Sequence, residues 1–464
     1  MPRGIQTRGN NIISESTQNA NHFEELRLRL ENRSAVCGVV GLGYVGLPLV
    51  GALHDASFKV LGFDVDPAKI GHLEAGTSYL SHIGEELPRH LAGSANFEPT
   101  TDFSRLAECD AILVCVPTPV DEHREPDLSY VTATGEEIGK ALRPGQLIVL
   151  ESTTYPGTTR DVFWPAILSS SGKAHSLGDD IFVAFSPERE DPGRTSHNTK
   201  TIPKLVGGLD DASTVLATAL YSAAVEEVVA VKSAEIAESA KILENVFRAV
   251  NIAMVNELKV LFDKMGIDIW EVIEAAATKP FGFMPFLPGP GLGGHCIPVD
   301  PFYLAWKARE VGLPTRFIEL AGEINHRMPQ YVVERSVLAL NRQAKSVQGS
   351  RVLIVGMAYK PNIDDTRETP SVEILKQLES LGASIEYHDP HVASVSNLRK
   401  HPEILLHSVD LTAETLKAMD LVIIATDHDA IDWELIGRCA SLIVDTRNAM
   451  ARVDGPVSAT VIKA

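Results

Sequence analysis

The chain has 464 residues, too many for one ordinary core, so two to three domains are expected. Its 44% hydrophobic content reads as globular, and a formal net charge of −19 argues against a nucleic-acid-binding surface, which needs a basic stripe. Cys37, Cys109, Cys115, Cys296 and Cys439 show neither zinc-ligand spacing nor a C-x-x-C pair, so no metal site is expected, and their scatter fits a reducing, cytoplasmic setting.

Residues 1–32 hold no apolar signal-peptide core and read as a polar tail with a short helix at His22–Glu31. Ala35 to Leu53 carries no charge, yet its glycines and Pro48 write strand, turn and helix, so no membrane span is expected. The strand Ala35–Val40 leads into Gly41-Leu42-Gly43-Tyr44-Val45-Gly46 and a helix at Leu47–Asp55. The next strand, Phe58–Phe63, ends at Asp64, which falls 18 residues after Gly46. Glycines in this order allow a tight turn and close approach of backbone to a pyrophosphate, and the acid can bond both ribose hydroxyls. A carboxylate there repels a 2′-phosphate, so NAD is expected rather than NADP.

Further strands are expected at Ala111–Val116, before Pro117-Thr118-Pro119, and at Leu147–Leu150, before Glu151-Ser152-Thr153. Another, Ile181–Phe185, runs into the charged turn Ser186-Pro187-Glu188-Arg189-Glu190-Asp191-Pro192-Gly193. That turn is either a solvated loop or part of a site, since α/β sites gather at strand C-terminal ends. Thr153 and Glu188 both follow strands and can face one cleft.

From Ser233 to Met265, Ile236, Leu243, Phe247, Val250, Met254, Leu258 and Leu261 recur at helical spacing, which predicts a long amphipathic helix able to build a dimer interface. Lys241 and Asn245 are four apart and share one of its faces. Lys241 is either a solvated stem at the stripe's edge or, with the Asn245 amide, a stabiliser of an oxyanion or alkoxide. Asn256-Glu257 read as packing residues.

The segment GPGLGGHCIPVDP, Gly289 to Pro301, places Cys296 in a backbone that apolar packing does not require. A nucleophilic thiolate needs a lowered pKa and an open approach. His295 is adjacent, and Asp300 is suited to place or activate water. A second strand series follows: Arg351–Val355, Ser384–Tyr387, Leu421–Ala425 and Leu442–Val444. His388-Asp389-Pro390 echoes Asp64-Val65-Asp66-Pro67, so two related α/β domains are expected. The second opens with Gly356-Met357-Ala358-Tyr359-Lys360, lacks the three-glycine fingerprint, and carries Lys360 and Arg367 as cations suited to a nucleotide diphosphate.

These motifs, in this order from about Arg33 to Asn448, resemble the UDP-glucose and GDP-mannose dehydrogenase family. The wording ESTTYPGTT, AFSPEREDPG, TKPFGFMPFLPGPGLGGHCIPVDPFYL and YKPNIDDTRETPS is most similar to its UDP-N-acetylglucosamine 6-dehydrogenase branch. The resemblance implies an α/β fold of two Rossmann-like doubly wound domains joined by a long central helix. It divides the chain into a tail (1–32), an NAD-binding domain (33–231), a central helical and dimerising domain with the cysteine loop (232–340) and a UDP-sugar-binding domain (341–464). It implies a four-electron oxidation of the sugar C6 alcohol to a carboxylate with NAD as oxidant, and a homodimer or higher oligomer.

Residue by residue, Cys296 matches the family nucleophile, Lys241 and Asn245 the pair that stabilises developing oxygen charge, and Asp300 the acid near the thiol. Thr153 and Glu188 match its water-handling groups. Expected cofactor contacts are Gly41, Leu42, Gly43, Tyr44, Val45, Gly46, Asp64, Lys69, Pro117, Thr118 and Arg367. Expected substrate contacts are Glu188, Arg189, Lys241, Asn245, Gly293, Lys360 and Arg447. One departure is Thr278-Lys279-Pro280-Phe281-Gly282-Phe283, where UDP-glucose members carry an Arg-Ile-Gly segment. This favours an N-acetylated sugar. The alternatives are the same chemistry on UDP-N-acetylgalactosamine, UDP-N-acetylmannosamine or UDP-glucose, a two-electron dehydrogenase sharing the first domain, and an inactive nucleotide-sugar-binding protein.

Overall fold

The structure, a computed structural model, describes residues 12–80, 83–121, 125–189, 199–294, 297–396, 398 and 400–464, with side chains from residue 22 onward. It divides into two compact units, Met1–Leu243 and Glu244–Ala464.

The first unit is built on eight strands: β1 (Val36–Val40), β2 (Lys59–Phe63), β3 (Phe97–Thr100), β4 (Ala111–Val114), β5 (Gln146–Leu150), β6 (Ile181–Phe185), β7 (Lys204–Gly208) and β8 (Val228–Ala230). Their order across the sheet is β3-β2-β1-β4-β5-β6-β7-β8. β1 to β6 pair in parallel, whereas β7 runs antiparallel to β6. The strands β4, β5 and β6 are buried throughout, which is why they read as unbroken apolar runs. The order reverses between β1 and β4, so the crevice beyond those strand ends is the unit's natural ligand site.

The helix expected at His22–Glu31 starts earlier, and from residue 22 on it packs against the first unit instead of forming a polar tail. A helix spans Ile12–Glu31, and Leu26 and Leu30 on it are buried in the first unit's core. Phe23 meets Phe182 of β6 edge-on, and Arg29 pairs with the buried Asp110 at 2.6 Å. Burying each leucine favours the folded state by about 2 kcal/mol, enough to hold a short helix that would be marginal alone.

The second unit repeats the plan with β9 (Arg351–Val355), β10 (Ser384–His388), β11 (Ser394–Val395), β12 (Leu406–His407), β13 (Leu421–Ile424), β14 (Leu442–Asp445) and β15 (Thr460–Lys463). Five form a parallel sheet in the order β10-β9-β13-β14-β15, and β11 pairs antiparallel with β12. The echo between the domains extends to side chains. Asp64, after β2, accepts the Leu42 N–H at 2.9 Å; Asp389, after β10, accepts the Met357 and Ala358 N–H groups at 2.6 and 2.9 Å. In each unit the acid beyond the second strand grips the loop beyond the first.

The long helix runs Ala234–Met265, 32 residues. Its stripe is not consumed by the chain's own core: Leu243 is 66% exposed, Phe247 47%, Met254 45% and Leu261 50%. Among the described residues no helix is long and apolar enough to cross a membrane.

Candidate active site

The glycine turn follows β1 at the reversal of strand order. Gly41 holds φ at +91°, and a Cβ there would stand 2.6 Å from the Cys115 carbonyl oxygen, just past β4. A Cβ on Gly46 would stand 1.8 Å from the Gly41 carbonyl oxygen. Gly43 has no heavy atom within 4 Å of its missing Cβ. Two glycines therefore close the turn and the third leaves open space beside it. The helix Gly46–Asp55 starts from Val45 with no side-chain cap; its Leu47 N–H is taken by the Gly43 carbonyl at 3.1 Å, and Pro48 carries none.

Asp64 is buried. Its carboxylate accepts the Leu42 N–H, the Asp66 N–H at 3.0 Å and Lys69 Nζ at 2.8 Å. Leu42, Asp64 and Lys69 are thus one cluster. The Thr118 hydroxyl donates to the Thr153 carbonyl at 2.8 Å, which joins the loop after β4, with Pro117, to the loop after β5. A glycine turn with open space beside Gly43 and a buried acid beyond the second strand fit a dinucleotide.

Glu188, three residues beyond the end of β6 at Phe185, accepts Lys204 Nζ on Oε2 at 3.2 Å and the Arg189 N–H on Oε1 at 2.7 Å. The Arg189 guanidinium donates to the Pro203 carbonyl at 2.8 Å. Glu190 to Gly193 lie outside the described residues. Lys241 is buried on the long helix. One turn earlier Glu238 accepts three donors from the segment after Thr153: the Gly157 N–H at 2.6 Å, the Thr159 N–H at 2.9 Å and the Thr159 hydroxyl at 2.6 Å. Burial pushes the Glu238 carboxyl up to about 7 against the pull of those donors.

In the second unit, buried Asn245 donates from Nδ2 to Asp300 Oδ2 at 2.6 Å, and Asp300 begins the helix Asp300–Glu310. His295 and Cys296 lie outside the described residues, but the flank Gly289–Gly294 is well placed by its neighbours. The Gly289 N–H donates to Asn256 Oδ1 at 3.0 Å, and Asn256 Nδ2 donates to Asn325 Oδ1 at 2.9 Å. A Cβ on Gly289 would stand 2.7 Å from Arg447 Nη1, one on Gly293 2.4 Å from Tyr359 Cβ, and Gly294 N–H donates to the Arg367 carbonyl at 2.9 Å. So the cysteine-loop flank, the Tyr359–Arg367 loop with half-buried Lys360, and Arg447 converge. Arg447 donates from Nε to the Ala425 carbonyl at 2.8 Å. Arg367, expected at the cofactor, belongs to this unit and is clamped to Asp365 at 2.6 Å.

Sequence reasoning missed two groups. Asn256, read as a packing residue, also anchors Gly289, and only its capacity to bond on both amide ends hinted at that. Lys204, Glu151 and Tyr221 come from three distant segments with no local motif.

Three family models match the chain: the UDP-glucose/GDP-mannose dehydrogenase family NAD binding domain at residues 35–225, its central domain at 235–327 and its UDP binding domain at 353–452. The UDP-N-acetyl-D-glucosamine 6-dehydrogenase of Pseudomonas aeruginosa is 36% identical over 368 residues, 78% of this chain and 84% of that protein. The solved UDP-D-ManNAc dehydrogenase of Pyrococcus horikoshii superposes with a TM-score of 0.81 at 29% identity, over 92% of this chain and 98% of that one. An NDP-N-acetyl-D-galactosaminuronic acid dehydrogenase of Methanosarcina mazei superposes with a TM-score of 0.76 at 31% identity, over 96% and 97%.

Proposed function

The chain belongs to the UDP-glucose/GDP-mannose dehydrogenase family, and we propose that within it this protein oxidises UDP-N-acetylglucosamine at C6 to the uronic acid. It is an NAD-dependent nucleotide-sugar dehydrogenase. What supports an N-acetylated sugar is Thr278–Phe283, the stretch where the family resemblance implies Arg-Ile-Gly in UDP-glucose members. The Pseudomonas aeruginosa relative supports the gluco epimer. The runner-up is the same reaction on the galacto or manno epimer, in keeping with the names of the two solved structures.

Bound NAD supplies the hydride acceptor for both oxidations of C6. The remaining work falls to side chains. Lys241 and Asn245 stabilise negative charge on the C6 oxygen as the alcohol loses its proton. Burial of both supports this, because a cation and an amide shielded from water act more strongly on a developing charge. The aldehyde, left free, would leak or hydrate. Cys296 captures it as a thiohemiacetal, whose C–H is lost in the second oxidation to leave a thioester. Water adds to the thioester carbon, its proton passes to Glu188, the C–S bond breaks and Cys296 leaves as thiolate. Thr153 and Asp300 hold water and thiol in register.

In this reading Glu188, Arg189, Lys241, Asn245, Gly293, Lys360 and Arg447 bind the UDP-sugar. Gly41 to Gly46, Asp64, Lys69, Pro117, Thr118 and Arg367 bind NAD. The exposed stripe on the long helix supports a homodimer or larger assembly, and the scattered cysteines support a cytoplasmic location. The test is a panel of UDP-N-acetylglucosamine, its galacto and manno epimers and UDP-glucose, each incubated with NAD⁺ and examined by mass spectrometry. Conversion of CH₂OH to COOH is expected first and fastest on UDP-N-acetylglucosamine; no acid from any UDP-N-acetylhexosamine overturns the proposal.

A further inference from the structure

Glu188 is held from beneath by a buried charge cluster. Lys204 opens β7 and is only 4% exposed, yet it carries an ammonium into the first unit's interior. Its Nζ lies 2.6 Å from Glu151 Oε2 and 3.2 Å from Glu188 Oε2. Glu151, just past β5, is itself buried, and its other oxygen takes the Tyr221 hydroxyl. The Tyr221 ring centroid lies 5.4 Å from Lys204 Nζ. Among the described residues the titratable groups facing Lys204 are Glu151, Glu188, Tyr221 and, beyond β4, Cys115.

We propose that Lys204 is a positioning residue for Glu188: anchored on Glu151 and Tyr221, its ammonium fixes the Glu188 carboxylate and keeps it ionised as the base of the hydrolytic half-reaction. The inference rests on the role given to Glu188 above. The geometry explains why three groups are needed. An ammonium facing Glu188 alone would be stranded in the interior each time Glu188 took a proton, and an unpaired buried charge is costly. With Glu151 as a permanent partner, the Lys204–Glu151 pair stays neutral while Glu188 alternates between carboxylate and acid. Burial works against the Lys204 ammonium, but the two carboxylates outweigh it, so its pKa lies above the ordinary value. The Arg189 N–H holds the second oxygen of Glu188, which sets the rotation of the carboxylate. Water adding to the thioester carbon gives its proton to Glu188 as the C–S bond breaks and the Cys296 thiolate departs. No other reactant is required.

The test compares Lys204→Met, Lys204→Arg and Glu188→Gln by rapid-quench and steady-state NADH assays from about pH 6 to about pH 9. Lys204→Met is expected to keep the initial NADH burst and the sugar kcat/KM. Its kcat should fall about 10–100-fold near neutrality, and the acidic limb of kcat should move up by about one pH unit or more, as loss of a neighbouring cation demands. Lys204→Arg should restore most of both. A Lys204→Met variant with wild-type kcat, or with kcat lowered equally at every pH, overturns the proposal. Should that variant not fold, Lys204→Met with Glu151→Gln removes the buried pair together, and the same limb shift is required of it. Glu188→Gln separates the two claims. Wild-type turnover in Glu188→Gln removes the base and its positioning residue together. A stalled Glu188→Gln beside an unshifted Lys204→Met removes the positioning role alone.

Discussion

Two substitutions in the glycine turn separate folding from cofactor binding. A Cβ on Gly46 would stand 1.8 Å from the Gly41 carbonyl oxygen, and Gly41 is itself wedged against the Cys115 carbonyl. Both obstacles are backbone, so neither can swing aside. Gly46→Ala is therefore expected to cost about 1–3 kcal/mol of stability, the range for overpacking. At roughly 2–4 °C per kcal/mol for a unit of this size, the melting temperature should fall by about 2–12 °C. Gly43 differs: its missing Cβ meets nothing within 4 Å, and its φ lies outside the left-handed region. Gly43→Ala should change stability by no more than about 0.5 kcal/mol. Yet the open space beside Gly43 is where a pyrophosphate must approach backbone, so a methyl there should weaken NAD at least about tenfold, or about 1.4 kcal/mol. Thermal melts with and without NAD⁺, with an NADH fluorescence titration, read both effects. A Gly43→Ala variant that binds NADH as tightly as the parent would show that the turn is not the pyrophosphate seat.

Three further outcomes follow from named contacts. Glu238→Ala strands the Gly157 and Thr159 donors and should lower the unfolding free energy by about 3 kcal/mol in urea titration; an unchanged midpoint contradicts it. Because burial lifts the Glu238 carboxyl from 4.5 to about 7, the folded chain keeps a proton that the unfolded chain releases in that window, so its stabilising contribution is lost as pH rises through 7; Glu238→Gln should flatten that slope. Asp389 has the opposite sign: burial would raise its carboxyl, but the His428 bond and backbone N–H groups hold it down at about 2, so about 2 kcal/mol present above pH 4 should be lost as pH falls toward 2, and Asp389→Asn should remove that acid sensitivity. The Asn362 N–H donates to His428 Nδ1, which leaves Nε2 to donate to Asp389, so His428→Leu should reproduce the effect in an acid titration followed by circular dichroism. Finally, Cys296→Ser should stall turnover while NADH titration shows unchanged cofactor binding; full activity in that variant refutes the covalent route.

What was legible in the sequence was mostly local. The glycine turn after β1, the place of Asp64 beyond β2 and the apolar runs of β1, β4, β5 and β6 could be read because each is a short pattern with its own physical reason. Strand ends were less so: Ala111–Val116 was expected, but β4 stops at Val114, since Cys115 must turn its carbonyl toward Gly41. β8 escaped notice because it has three residues, two of them exposed. The N-terminal helix was expected only from His22 and as part of a polar tail, because from there on just Phe23, Leu26 and Leu30 pack into the core, too few for a strong period. Lys204 was invisible for a different reason. Its partners lie 53 and 16 residues away in sequence, and only the fold of β5, β6 and β7 brings them together.

The count of hydrides per sugar tests the central claim most directly. UDP-N-acetylglucosamine at limiting concentration, with excess NAD⁺ and the purified protein, should yield two NADH for each sugar consumed, with no free aldehyde trapped by hydrazine. One NADH per sugar, or an aldehyde released to the trap, would contradict a covalent four-electron oxidation.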